Sequence, residues 1–347
     1  MKIGLFDHVE QSDRPLAALF DERLEFAAAA DEAGFYCLHV AEHHQTPLSM
    51  VPAPSVYLAA IARLTKRIRL GPLVYLLPLY SPLRLIDEIV MLDHLSHGRL
   101  DVGVGRGVSP FEIGYHKIDP ERSREIFIDA YDCLVAGLTH DTLNHDGEFY
   151  QYRDVPMPLR PLQLPYPPFW YGSSNTTGAT WAGEHGLHFT ANGPVALAKT
   201  NIAAFKEALA RRGAPLSPKP EFPGGTAIGA LRYVVVADTD EEARRIAQPA
   251  AERHIAALNW LRVKHAQTAM ATRLNIPAGG SYDELVGQGL MIAGTPDKVA
   301  AEIERQAPEL GINYFIAYMF FGTMSRADAM RSLRLFRAEI MPRLAAL

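Results

Sequence analysis

A chain of 347 residues, 48% hydrophobic and 21% charged, can bury a substantial core, which excludes an intrinsically disordered protein. Its 34 lysines and arginines against 39 acidic residues leave a mildly negative balance without a long basic block, which argues against a nucleic acid or other polyanion as partner. Cysteine occurs twice, at Cys37 and Cys133, outside any CxxC pair, so neither a disulfide framework nor a cysteine-rich zinc site is expected.

The first apolar run, KIGLFDH (2–8), reads as a strand, and Asp7 breaks any signal-peptide core before one forms, so a cytoplasmic protein is expected. YCLHVAE (36–42) is a second strand, running into Glu42, His43 and His44. RIRLGPLVYLL (67–77) is a third. The apolar tract at 70–80 that contains its end is broken by Pro72 and Pro78 and is far shorter than the ~20 residues of a membrane helix. SPLRLIDEIVMLDHLSHG (81–98) follows as a helix, with Ser81 placed to cap it, Pro82 in its first turn and Gly98 placed to end it. Leu83, Ile86 and Val90 share one of its faces, with Ile89 alongside. Further strands are RLDVGVG (99–105), PFWYGS (168–173), LHFTANG (187–193), LRYVVVAD (231–238) and YFIAYMF (314–320). Later helix starts are marked by Thr239 with Glu242 and Ser325 with Asp328, both capping boxes, and by Thr295-Pro296 after Gly294.

Eight strands alternating with helices predict an α/β chain folded as one (β/α)₈ TIM barrel over 1–347, with its active face at the strand C-terminal ends. A doubly wound open sheet is the alternative, but GVGRG (103–107) has Val108 where a dinucleotide fingerprint wants a third glycine. A barrel takes about 250 residues, leaving roughly 100 for insertions. One is expected before strand five, where the proline-rich segment 140–168 suggests an irregular hairpin, and one before strand eight, where 256–289 could form a mobile lid.

On the barrel reading Glu42, His43 and His44 lie where strand two reaches the active face. Adjacent strand residues point to opposite sides, so one of the two histidines should dominate the chemistry. A metal-dependent hydrolase needs more ligands; Asp7 and His8 could contribute, yet no further His/Asp set stands out at later strand ends. In GSSNTTGATW (172–181), Ser173, Ser174, Thr176 and Thr177 offer hydroxyls and the following helix start offers free N–H groups, which suit a phosphate; the same residue types also serve as ordinary caps. Arg106, after strand four, and Arg124 supply the cations that a phosphate wants. The backbone of GPLVYLLPLYSP (71–82) could pack beside a flat aromatic ligand, although a buried strand accounts for all but its prolines. Phe6, Tyr75, Phe111, Tyr115, Phe320 and Phe321 would give a dry, apolar wall suited to a small molecule such as an aldehyde or ketone.

AEHH (41–44), the long block KRIRLGPLVYLLPLYSPLRLIDEIVMLDHLSHGRLDVGVGRG (66–107), WYGSSNTTGATWAGEHG (170–186) and AGTPDKVAAEI (293–303) together resemble the bacterial luciferase-like flavin monooxygenases. The resemblance implies a (β/α)₈ barrel that binds reduced FMN, whose reaction with oxygen at flavin C4a gives a peroxide that oxygenates an organic substrate. It further implies a separate flavin reductase as the source of reduced FMN, and a homodimer formed through outer barrel helices. By position, His43 matches the catalytic histidine, and Arg106, Arg124, Ser173, Ser174 and Thr177 match phosphate contacts. Leu73 and Val74 match residues whose backbone lies against the flavin ring through a non-prolyl cis peptide, which is therefore expected between them. Gly105 stands where luciferases have a cysteine beside the flavin, so light emission is not implied. A deazaflavin-dependent hydride-transfer enzyme on the same barrel, a metal hydrolase and a non-catalytic flavin-binding or storage protein are the competing readings.

Overall fold

Short, buried strands build the central sheet of this computed structural model, which describes residues 1–267, 281–345 and 347. β1 (Lys2–Asp7) is followed by α1 (Leu16–Ala33) and pairs in parallel with β2 (Cys37–Val40), all four of whose residues are buried. After α2 (Pro54–Leu64) the third strand runs in two pieces, β3 (Arg69–Pro72) beside β2 and β4 (Tyr75–Leu76). α3 (Pro82–Leu95) leads into β5 (Val102–Gly105), which pairs with β4. The short α4 (Pro110–Tyr115) and α5 (Ser123–Thr139) come next, and within 140–168 β6 (Thr142–Asp146) and β7 (Gln151–Pro156) form an antiparallel hairpin. β8 (Phe169–Ser173), α6 (Thr176–Glu184), β9 (His188–Ala191), α7 (Val195–Arg212) and β10 (Ile228–Val236) restore the alternation. α8 (Asp240–Lys264), α9 (Tyr282–Gly287), β11 (Met291–Gly294), α10 (Pro296–Leu310), β12 (Tyr314–Tyr318) and α11 (Arg326–Leu335) follow.

The strands run in the order β3-β2-β1-β12-β10-β9-β8-β5-β4. Leu70 closes the cylinder: its N–H donates to the Arg99 carbonyl (3.0 Å), and its own carbonyl accepts from Asp101 N–H (2.9 Å). Counting β3 and β4 as one interrupted strand, the ring has the eight strands expected of a (β/α)₈ barrel. β11 is a further strand that the sequence reading did not anticipate; it pairs with the distal end of β10, Tyr233 to Val236. Its four-residue run is too short to separate from a helix lead-in by periodicity. Of the segment 256–289, α8 occupies the first part and α9 lies near the end, while 268–280 fall outside the described residues. Among the described residues no helix is long and apolar enough to cross a membrane.

Helix starts follow local chemistry with two corrections: Thr239 and Ser325 cap through their side chains without the reciprocal bond of a capping box among the described residues, and Ser81 does not cap. Thr239, Thr295 and Ser325 each accept a hydrogen bond from the amide three residues on. Ser81 makes no such bond, and α3 begins on Pro82 with Leu85, Ile86, Ile89 and Val90 turned inward.

The lower half of the barrel holds a polar layer whose charged groups pair with one another through Asp101 Oδ1. Asp101 takes Arg69 Nη2 (2.7 Å) and Lys219 Nζ (3.1 Å), the lysine arriving from the loop between α7 and β10. Burial acts to raise the Asp101 pKa, but the Arg69 and Lys219 charges hold it far below the carboxylate range. His39 Nε2 meets Tyr314 Oη at 2.9 Å; His188 accepts Ala227 N–H at Nδ1 and donates from Nε2 to the Ser217 carbonyl, both at 3.0 Å. Burial pushes both imidazoles down to about 4. Depressed histidine pKa values favour the neutral fold, so this stabilisation is complete above the unfolded pKa of about 6.5 and is lost as the pH falls to about 4. The denaturant midpoint should therefore fall steeply through that window, by roughly 3 kcal/mol for each histidine. His39→Gln and His188→Gln should flatten the slope; an unchanged midpoint across the window would contradict the assignment.

Candidate active site

A cavity of about 520 Å³ opens at the C-terminal ends of the strands, within the size range of small-molecule and cofactor sites. Its walls come from the β2 end, the β3–β4 interruption, the β5–α4 segment, the β8–α6 turn and α8.

At the β2 end the three titratable neighbours separate. The Glu42 carboxylate is buried and accepts from Tyr80 Oη (2.8 Å), Leu76 N–H (3.2 Å) and His44 Nε2 (2.8 Å). Burial raises its pKa against those bonds. His44 therefore turns away from the cavity, its ring edge-on to His116, and is not among the lining residues. His43 does line it. Its Nδ1 lies 3.2 Å from Glu112 Oε1, and Glu112 Oε2 accepts the His44 backbone N–H at 2.7 Å. Burial works to raise the Glu112 pKa, yet the facing His43 and the hydrogen bonds from His43 and the His44 backbone bring it below its ordinary value. An ionised Glu112 fixes the proton on His43 Nδ1 and leaves Nε2 as an acceptor. Glu112, absent from the sequence reading, is placed by α4, whose Ser109 cap accepts its N–H at 3.3 Å. The SPFE spacing of Ser109 to Glu112, a capping-box pattern, was the available signal.

The Leu73–Val74 peptide is cis, and both residues line the cavity. Across it lies the β8–α6 turn. Ser173 Oγ donates to the Asn175 carbonyl (2.8 Å) and accepts Asn175 N–H (3.1 Å), while Asn175 Oδ1 caps Gly178 N–H (2.9 Å). Capping thus falls to Asn175, which the sequence reading passed over. Among the described residues no hydrogen bond engages the hydroxyl of Ser174 or Thr177, and both line the cavity with Ser173, Arg106 and Arg124. Thr176, the first residue of α6, is exposed and does not line it. This set of hydroxyls, helix-start amides and guanidinium groups suits a phosphate.

Of the six aromatics expected to form an apolar wall, Phe6 and Phe111 line the cavity. Tyr75, Phe320 and Phe321 belong to the core, and Tyr115 is exposed, its hydroxyl 2.6 Å from His265 Nε2. Asp7 is ion-paired with Arg23 (3.0 Å). His8 instead joins Glu10 and His254, whose ligand atoms all lie within 4.8 Å of one another. Glu10 and His254 are already engaged: His254 Nδ1 is 2.5 Å from Glu10 Oε1, His254 Nε2 is 2.8 Å from Tyr233 Oη, and Tyr318 Oη donates to Glu10 at 2.6 Å. That pattern is a hydrogen-bonded network that leaves few lone pairs for an ion. Burial, with the charges of His254 and His43, drives the His8 pKa well below 6.5, so a neutral ring lies beside His43, their centroids 5.4 Å apart.

Glu42→Ala should leave Tyr80, Leu76 N–H and His44 without their shared acceptor, at about 1–3 kcal/mol for each buried group. Chemical denaturation should show a loss of about 3 kcal/mol or more, with Glu42→Gln losing less; a loss below about 1 kcal/mol would remove the bracing role of this carboxylate.

Comparison with known proteins bears on the family and the fold. The family model described as luciferase-like monooxygenase matches residues 1–314. The oxygenase component of a flavin-dependent trigonelline monooxygenase from Acinetobacter baylyi is 30% identical over 254 residues, 70% of this chain and 67% of that one. The crystal structure of the monooxygenase RslO1 from Streptomyces bottropensis covers 99% of both chains with a TM-score of 0.86 and 25% identity. The oxygenating constituent of 3,6-diketocamphane monooxygenase from Pseudomonas putida, in complex with FMN, shares the fold with a TM-score of 0.79 at 21% identity, over 99% of this chain and 98% of that one.

Proposed function

Because the chain belongs to the luciferase-like monooxygenase family, we propose that it is the oxygenase of a two-component system, taking reduced FMN from a separate flavin reductase and using dioxygen to oxygenate a small, largely apolar organic substrate. One observation carries the reading: a single cavity holds a carboxylate-backed histidine, the Leu73–Val74 backbone and a hydroxyl-rich turn with Arg106 and Arg124. The relative named as an oxygenase component supports the separate reductase. The likeness to an FMN complex concerns the fold, and the choice of FMN rests on the donor set and the family resemblance.

The residues fit a flavin mononucleotide. Arg106, Arg124, Ser173, Ser174 and Thr177 would hold its phosphate, with the α6 N-terminus adding backbone donors. Leu73 and Val74 would support the ring. A Cβ at Gly105 would come within 2.4 Å of Val74 Cγ2, so bare backbone is what lets Val74 sit there. Bound reduced FMN supplies the two electrons that activate dioxygen. His43 Nε2 accepts or returns a proton at the reacting end of the cavity, while Glu112 keeps Nδ1 protonated and the ring in place. Phe6 and Phe111 exclude water from that end.

Titration of the purified protein with oxidised and reduced FMN, followed by mixing with oxygen, tests the assignment. Tight binding of reduced FMN and substrate-stimulated oxygen uptake are expected; failure of either flavin state to bind would sink it, and hydride transfer without oxygen use would point to the deazaflavin alternative. With the substrate in hand, His43→Ala should lower oxygenation by about 10²–10⁴-fold while FMN affinity holds. Undiminished turnover would remove His43 from the chemistry. Arg124→Ala should act in the opposite sense, weakening FMN by about tenfold or more while sparing riboflavin, which has no phosphate. Equal losses for the two flavins would argue against the phosphate contact.

A further inference from the structure

One face of α8 looks onto the cavity. His254, Leu258, Leu261, Arg262 and His265 recur at the three- and four-residue spacing of a single helical face, and Leu258, Leu261 and Arg262 line the cavity. That face is fixed at both ends. His254 is locked between Glu10 and Tyr233. His265 lies flat on Phe111, ring centroids 4.4 Å apart and planes 10° from parallel.

Arg262 sits between these anchors and has no counter-ion among the described residues. Among the described residues its guanidinium makes one hydrogen bond, a long one of 3.3 Å from Nη1 to Asn259 Oδ1, and no ion pair. Burial lowers its pKa, yet an arginine keeps its proton. A partly desolvated cation beside two leucines carries a cost that an incoming anion offsets. The phosphate turn has its own arginines on a different wall, the β5–α4 segment and α5. Arg262 instead stands one helical turn from His265, which covers Phe111, and Phe111 adjoins Glu112, the partner of His43. It lines the same cavity as Phe111 and His43.

We propose that Arg262 recognises the substrate through a carboxylate, so that the enzyme acts on small organic acids with an apolar body. Leu258, Leu261 and Phe111 hold that body, and the planar guanidinium fork pairs with the carboxylate oxygens. This rests on the flavin monooxygenase reading and narrows its substrate class.

The test titrates FMN-loaded protein with benzoate, phenylacetate and octanoate and with their neutral amides, followed by calorimetry and flavin absorbance. At least one acid should bind about tenfold or more tightly than its amide. Arg262→Gln should abolish that preference, Arg262→Lys should restore part of it, and both should bind FMN within about twofold of the parent. Equal affinity for acid and amide, no binding of any acid, or a preference that survives Arg262→Gln overturns the proposal. Loss of FMN affinity in Arg262→Gln also overturns it, by assigning the residue to the flavin phosphate. FMN binding is read before any acid is added, so failure of the flavin reading is seen separately; the acids are then titrated into flavin-free protein with the same deciding outcomes.

Discussion

The close approach of the third and fourth barrel strands is the constraint on which the molecule depends. A Cβ at Gly71 would lie 1.8 Å from the Asp101 carbonyl oxygen, one at Gly103 2.4 Å from the Pro72 carbonyl oxygen, and one at Gly105 2.4 Å from Val74 Cγ2. Gly71 and Gly103 therefore let backbone meet backbone where the cylinder closes, and Gly105 makes room for the Val74 side chain. Closure through Leu70 ends β3 at Pro72 and delivers Leu73 and Val74 to the cavity, and the chain resumes as β4 with Leu76 N–H offered to Glu42. Gly103 and Gly105 of GVGRG thus serve strand packing, while Gly107 lies past the strand with a positive φ, so the motif is not a dinucleotide fingerprint.

Polar groups are treated differently at the two ends of this cylinder. In the lower layer Asp101, Arg69, Lys219, His39 and His188 find partners within the protein, and their charges and hydrogen bonds are spent on one another. Near the mouth, groups of the same kinds are held half-satisfied. His43 has a carboxylate behind one ring nitrogen and the cavity before it, His8 Nδ1 is buried with no partner among the described residues, and the Ser174 and Thr177 hydroxyls face the open space. Unpartnered polar atoms occur in both layers of the described residues, Asp101 Oδ2 among them, but those that face a cavity are gathered where the strands end, as the barrel architecture requires.

The eight barrel strands were legible because strands buried on both faces read as unbroken apolar runs, and a parallel sheet forces helices between them. The interruption of the third strand was signalled by Pro72 but could not be positioned from composition, and β11 was too short to stand out. In the candidate site, residues contiguous in the chain were found and their distant partners were not. Glu112 lies 69 residues from His43, and Glu10 lies 244 from His254; no local spacing announces such pairs. Asn175 was overlooked for the opposite reason, since four neighbouring hydroxyls offered the same capping chemistry. Arg262 lay hidden because an arginine near a helix end is ordinarily solvated or paired with the helix dipole.

The two histidines after β2 diverge because two carboxylates divide them. Glu42 and His44, two residues apart, face the same side and close on each other, and the Tyr80 hydroxyl and Leu76 amide complete the shell of that carboxylate. Glu112 reaches the neighbouring histidine from another element and also takes the His44 backbone N–H, so one carboxylate sets both the rotation of the His43 ring and the path of the chain that carries it. Their opposite pKa displacements separate the roles further. Burial leaves Glu42 the weaker anion, suited to bracing; Glu112 stays ionised despite burial because His43 and the His44 backbone N–H face it. A histidine backed by a reliable anion holds its tautomer through a proton-transfer cycle, whereas one tied to a reluctant anion does not. That difference, rather than nearness to the cavity alone, singles out His43.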